Sequence, residues 1–194
     1  ICGLAEAQMA DPEIRAIILK AEGSMFSAGI DFFALGAEVG PMMGEADGGG
    51  AQLRGLIYKY QQYMNRLEAV ELPIICAMHG KVLGMGTEIA LACDLRVAAD
   101  DTLFSIPEVD LGIPLAWGGI PRLVREIGPA FTRELVLTCR PFDAHEAKAL
   151  GFVNRVVPRS DLESAVDGLA GQLARKAPSV VRATKRQVNE ALED

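Results

Sequence analysis

The sequence predicts an α/β fold with strands early and helices gathered late. Three observations predict it. Two β-branched apolar runs, RAIILK at 15–20 and IICAM at 74–78, have the length and composition of buried strands. Between them Leu53, Leu56, Ile57, Tyr60, Met64 and Leu67 recur at helical spacing. Two glycine-containing segments, MFSAGID at 25–31 and GKVLGMGTE at 80–88, join a strand to a helix start.

In chain order, the first strand ends at Glu22-Gly23, and Met25–Asp31 leads into a helix beginning at Phe32-Phe-Ala-Leu35. Residues 37–50 (AEVGPMMGEADGGG) have no periodicity and many glycines, which predicts a loop that is mobile without ligand, a lid or insert. The amphipathic helix over about 51–71 is stopped by Pro73, and strand 74–78 follows. After the turn at 79–86 comes a short apolar helix, Thr87 to Cys93, then two short strands at 96–99 and 102–105. From Gly118 the chain is mainly helical, with Pro158 and Pro178 as punctuation. Asp143-Ala-His-Glu146 has the form of a capping box.

Composition bounds the function. At 194 residues, 50% hydrophobic and 23% charged, with mean hydropathy +0.21, the chain reads as one globular domain. No apolar run reaches the ~20 residues that span a bilayer, so no membrane role is expected. The start, Ile1-Cys2-Gly3-Leu4, lacks the form of a signal peptide and has no initiator Met. Lys plus Arg number 19 against 26 Asp plus Glu, a net charge of −7, the wrong sign for a general nucleic-acid binder. The basic residues Arg175, Lys176, Arg182, Lys185 and Arg186 read first as a solvated helix face and second as a phosphate contact. Cys2, Cys76, Cys93 and Cys139 form no C-x-x-C, which fits reduced thiols and a cytoplasmic location.

Common glycine-loop and metal chemistries fail on spacing. A dinucleotide fingerprint through Gly84 and Gly86 needs glycine where Ile89 stands, and Val82 follows Lys81 where a phosphate loop needs Ser or Thr. There is no G-x-S-x-G and no H-E-x-x-H. His79 and His145 have no ligand spacing, so no metal is expected. Two strand-to-helix turns remain, and helix N-termini offer unpaired N–H donors. Facing each other, two such ends would form an oxyanion hole from backbone alone. Tight packing is the plainer reading of the same glycines.

Two carboxylates are placed unusually. Glu88 lies in the apolar stretch MGTEIALAC, and Glu108 follows Pro107 among apolar neighbours. A charge there is costly unless it is paired or functional. Held together, the two could activate a water and deliver a proton. The alternative is that each pairs with an arginine such as Arg122 or Arg125. Asp31 suits a helix cap, and Asp94 sits between a helix and a strand.

The blocks DPEIRAIILKAEGSMFSAGIDF (11–32), LPIICAMHGKVLGMGTEIALACDLRVAADDTLFSIPEVDLGIPLAWGGIPRLVREIG (72–128) and FDAHEAKALGFVNRVVP (142–158) resemble the enoyl-CoA hydratase/isomerase (crotonase) family in order and spacing. The resemblance implies a spiral of repeated β-β-α units over 1–142 and a helical oligomerisation region over 143–194. It implies trimers or dimers of trimers that bind acyl-CoA thioesters, with coenzyme A part of the substrate and no separate cofactor. By position, the oxyanion N–H groups fall on Ile30 and Met85, the latter in place of a usual glycine. Glu88 and Glu108 match the two glutamates of the hydratase branch, where Glu108 gives a proton to C2 and Glu88 orients water. Substrate contacts fall on Ser27, Ala28, Gly29, Asp31, Gly84 and Trp117. Phe26, Phe32, Leu35, Leu115 and Trp117 are pocket-lining candidates that could equally be core.

Both glutamates together favour a hydratase of trans-2-enoyl-CoA. A Δ3,Δ2-enoyl-CoA isomerase working mainly through Glu108 is the alternative, and an idle acyl-CoA-binding paralogue a third. The dienoyl isomerases of the family carry an aspartate where Glu88 stands and another at the place of Ala116. Against the family the chain starts after the opening strands and stops before the last helices, so a trimmed sequence is expected.

Overall fold

Ile74 to Met78 is buried at every residue, and the main sheet forms around this strand. The computed structural model describes residues 1–40 and 50–192, leaving out the side chains of Phe32 and Val39. It begins with a short helix α1 (Cys2–Ala7), followed by β1 (Ile17–Lys20), α2 (Phe32–Val39), α3 (Gly50–Glu68) and β2 (Ile74–Met78). Next come β3 (Lys81–Leu83), α4 (Met85–Leu91), β4 (Leu95–Ala99), β5 (Leu103–Ser105) and α5 (Gly119–Thr138). The end comprises β6 (Phe142–Asp143), α6 (Ala144–Ala149), β7 (Arg155–Val157), α7 (Leu162–Ala174) and α8 (Pro178–Glu190).

The repeat is visible in the pairing. β1, β2, β4 and β7 form one parallel sheet in that order, while β3 and β5 pair in parallel in a second sheet closed by antiparallel β6. Each early turn puts one strand in the first sheet, the next in the second, and then starts a helix. In the first turn the second strand is reduced to a bridge between Ser27 and Val82. The result is the spiral of β-β-α units that the resemblance implied.

Period-two alternation divides the core. Ile75, Ala77, Val97 and Ala99 face Leu162, Val166 and Leu169 of α7. Ile74, Cys76, Met78 and Ala98 face the larger cluster, with Leu91, Phe104, Leu123 and Phe152. A parallel sheet covered on both faces needs the continuous apolar strands seen at 74–78. Phe104, Phe142 and Phe152 meet in one aromatic group, with centroids 5.2 to 6.3 Å apart.

Several boundaries differ from expectation. The helix expected at 87–93 begins at Met85, β4 starts one residue earlier than expected and β5 one residue later. Gly128, at φ 76°, and Pro129 break α5, because proline cannot join the preceding helix turn. Beyond residue 142 the chain is not helical throughout: β7 still joins β4 in the main sheet before α7 and α8. Residues 37–39 end α2 with Gly40 as its C-cap, Gly50 opens α3, and residues 41–49 of the segment expected to be mobile lie outside the described residues.

Lys185 also departs from the solvated face expected of it. Its side chain is only 8% exposed and donates to Asp94 Oδ2 at 2.7 Å and to the Leu72 carbonyl at 3.1 Å. Asp94 also accepts the Ile74 N–H at 2.7 Å, so one carboxylate ties α8 to the head of β2. Asp94→Ala strands both the ammonium and the amide, and should cost about 3 kcal/mol in chemical denaturation. Asp94→Asn keeps an acceptor for Ile74 and should cost less; equal losses would contradict this assignment.

Candidate active site

The two strand-to-helix turns come together at one cavity. Ser27 donates its N–H to the Lys81 carbonyl at 3.0 Å, and Leu83 returns a 3.0 Å bond to the Ser27 carbonyl. That pairing lays Ala28-Gly29-Ile30 beside Leu83-Gly84, and all five residues line a cavity of about 40 Å³. Glu88 and Glu108 line it too, with Leu111, Ile113, Leu115 and Trp117 on the remaining wall. Space of ~10–15 Å³ admits one water, so the cavity has the size of a small water cluster.

Gly84 must be glycine for two reasons. Its φ is +48°, and a Cβ there would collide with Glu108 Oε1. The turn thereby brings the Glu108 carboxylate against the head of α4. Within the first turn of α4, Glu88 is 1% exposed and accepts the Gly119 N–H at 2.9 Å. A Cβ at Gly119 would sit 2.7 Å from Glu88 Oε1.

Burial pushes the Glu88 carboxyl up to about 7, against an opposing pull from the Gly119 N–H. The Glu108 charge adds to the rise, while the Trp117 backbone and Arg122 reduce it. Burial also raises Glu108, whose Oε2 is buried and has no partner among the described residues. Among the described residues neither glutamate forms an ion pair with an arginine. Arg122 and Arg125 both bind Glu68 of α3 instead.

The other predicted residues divide. Ile30 lines the cavity, and Met85 is the first residue of α4, where a helix N–H has no intrahelical acceptor. The Met85 side chain packs against the main core, and Met85 is not in the lining of the cavity. Ser27 Oγ accepts the Gly29 N–H at 3.2 Å and lies under Gly86, and Ser27 is not in the lining. Asp31 caps α2 by accepting from Phe33 and Ala34, as a helix cap should. Phe26 packs against the core, Leu35 is absent from the lining, and Phe32's side chain is outside the described part.

Sequence reasoning missed two residues. Tyr60 stacks on Trp117 with centroids 4.7 Å apart, and Gln61 Nε2 donates to the Ala116 carbonyl at 2.8 Å. Tyr60 was legible only as one apolar position on a helix face. Its hydroxyl donates to Glu38 Oε2 at 3.1 Å, and Lys59 holds Glu38 Oε1 at 2.7 Å.

Residues 4–194 match the family model described as enoyl-CoA hydratase/isomerase. The chain belongs to the enoyl-CoA hydratase/isomerase family. It is 35% identical over 179 residues to the mitochondrial Δ(3,5)-Δ(2,4)-dienoyl-CoA isomerase of Homo sapiens, covering 90% of this chain and 54% of that one. It is 34% identical over 185 residues to the short-chain-enoyl-CoA hydratase of Clostridium acetobutylicum, covering 94% and 67%. A crystal structure of a Thermobifida fusca protein, provisionally named an enoyl-CoA hydratase and solved in complex with CoA, superposes with a TM-score of 0.83. That match is 32% identical and covers 100% of this chain and 75% of the other. The chain spans about half to two thirds of the length of the curated relatives it matches. The crotonase fold of the family is thus this chain's fold.

Glu88 imposes a pH dependence on stability. Its folded value of about 7 exceeds its usual 4.5, so the folded state holds the extra proton between those values. The group's contribution is fully present below about 4.5 and is lost as pH rises through about 7. Glu88→Gln should flatten that part of the profile, read as urea midpoints against pH. A slope unchanged by the substitution would refute the buried carboxyl as its source.

Proposed function

We propose that the protein hydrates a trans-2-enoyl-CoA to the 3-hydroxyacyl-CoA, using Glu88 and Glu108 as a coupled pair. The observation that supports this most directly is that both carboxylates line one small cavity beside the two glycine turns. Two carboxylates in one low-dielectric site favour a shared single proton near neutral pH, and titrate as a pair. Such a pair has one group ready to accept a proton and one ready to give it.

In this reading the thioester carbonyl oxygen accepts the N–H groups of Ile30 and Met85, which stabilise the enolate as it forms. Water oxygen bonds to C3 as the C2=C3 π bond opens. One water proton passes to the ionised carboxylate, and the protonated carboxyl delivers its proton to C2. The pair ends with one proton, as it began. Burial favours the resting proton on Glu88, while family resemblance assigns delivery to Glu108; a water between them connects both. Ala28, Gly29 and Gly84 supply close backbone, and Trp117 the far wall. Ser27 and Asp31 act one step back, by shaping the loop and capping α2. Acyl-CoA is the proposed partner, and a homotrimer or dimer of trimers in the cytoplasm is the proposed setting, with 143–194 contributing to assembly.

A second reading has one observation in its favour. Among the described residues Glu108 Oε2 is buried without a partner, placed in this reading to take a proton from C2 of a 3-enoyl-CoA and return it at C4. That would make the protein a Δ3,Δ2-isomerase. A dienoyl isomerase of the pattern implied by resemblance is disfavoured, because Ala116 offers a methyl group where that pattern has an acid.

The two are separated by Glu88→Gln and Glu108→Gln assayed with crotonyl-CoA and a 3-enoyl-CoA. Hydration should fall by about 10²–10⁴-fold in both variants, the usual contribution of a positioned acid or base. Full crotonyl-CoA turnover in both would refute the paired mechanism. Isomerisation lost only in Glu108→Gln, with no hydration by wild type, would establish the second reading.

A further inference from the structure

Leu115 and Ala116 line two cavities at once. On one face is the 40 Å³ site with Glu88 and Glu108. On the other is a cleft of about 490 Å³ lined by Ile57, Ile120 and Pro121 together with Gln61, Asn65 and Arg122. A single stretch of backbone and side chain therefore partitions a space too small for a long acyl tail from one that would hold it. The partition is fixed from outside by α3. Gln61 holds the Ala116 carbonyl, and Tyr60 stacks on Trp117. Leu115 itself is 6% exposed, so its side chain fills the wall.

We infer that the 115–117 segment is an acyl-length stop, restricting the site to short acyl chains, with Tyr60 and Gln61 as the positioning residues that hold it shut. This rests on the acyl-CoA reading above. An unhindered tail would gain ~0.8 kcal/mol for each methylene it buries, about fourfold in affinity. A site that allowed this would bind decanoyl-CoA far more tightly than butanoyl-CoA. Behind a closed wall, those methylenes gain nothing and must displace the segment. Loosening the wall should connect the two spaces and let the tail enter the cleft.

The test compares butanoyl-CoA with decanoyl-CoA by calorimetry, and 2-butenoyl-CoA with 2-decenoyl-CoA by turnover, on the full chain. Wild type should bind and turn over the short member of each pair in preference to the long one. Gln61→Ala and Tyr60→Ala should shift the long-to-short ratio upward by about fifteenfold, the gain from two newly buried methylenes. Short-chain values should stay near wild type in both. Tyr60→Phe keeps the stacked ring and should keep the wild-type ratio, whereas general loosening of the fold would not distinguish the two Tyr60 variants. Leu115→Ala should shift the ratio furthest, and Gln61→Ala decides the matter if Leu115→Ala does not fold. A wild type that already prefers decanoyl-CoA, or ratios unmoved in Gln61→Ala and Tyr60→Ala, would overturn the inference. Binding with the expected ratios but no turnover would overturn the hydratase reading and leave the stop standing. A wild type that binds neither thioester overturns both.

Discussion

A carboxyl that is 1% exposed must find donors or give up its charge, and Glu88 does some of each. It accepts the N–H of Gly119, the first residue of α5, so the head of α4 and the head of α5 are joined through a side chain. This bond fixes what can stand around it. Position 119 must lack a Cβ, Leu115 must pack in the space beside it, and Trp117 must turn its backbone toward the same carboxyl. The Glu108 carboxylate, pressed against Gly84, then completes the cavity. Replacing Glu88 with an apolar residue would relieve its desolvation but leave the Gly119 N–H buried without an acceptor.

The loop that bears Leu115 and Trp117 is held at its C-terminal end by a long side chain. Arg122, 4% exposed, reaches back to the Gly118 carbonyl at 3.1 Å and across to Asn65 and Glu68 of α3. Arg125 binds the other Glu68 oxygen. α3 is thereby clamped to α5, and from that position it presents Tyr60 and Gln61 to the loop. The arginines that could have neutralised the two cavity glutamates are spent on Glu68. Their charges are thus turned toward architecture, and the cavity keeps a pair of carboxylates with raised affinity for protons.

What could be read from the sequence is what leaves a local trace. Ile74–Met78 is a run of apolar residues with no interruption, which only a strand covered on both faces tolerates. Glu88 stood out because a charge interrupted an apolar stretch, and Asp31 and Asp143 because each precedes a helix that its side chain caps. The family blocks added the pairing of Glu88 with Glu108, which spacing alone could not supply. The pairing of Gln61 with Ala116 spans 55 positions, and neither residue is unusual where it stands. Lys185 looked like one of several helix charges, since its partner Asp94 is 91 residues away. β3 and β6, of three and two residues, are too short to show an alternation. α1 is helical because it lies on α3, where Glu6 and Arg66 pair and Cys2 donates to the Tyr63 carbonyl.

Met85 shows how a side chain and its own backbone can belong to different parts of a structure. A large residue stands there where the family resemblance implies a usual glycine. At the start of α4, however, the side chain packs against the main core. The N–H lies along the helix axis at its N-terminal end, where it has no intrahelical acceptor. A position used through its main chain therefore tolerates a change of side chain, provided the core can take the volume. The partial burial of Met85 against the main cluster is consistent with that. The same division separates Gly84, where a Cβ would meet Glu108 itself and no side chain could be turned away.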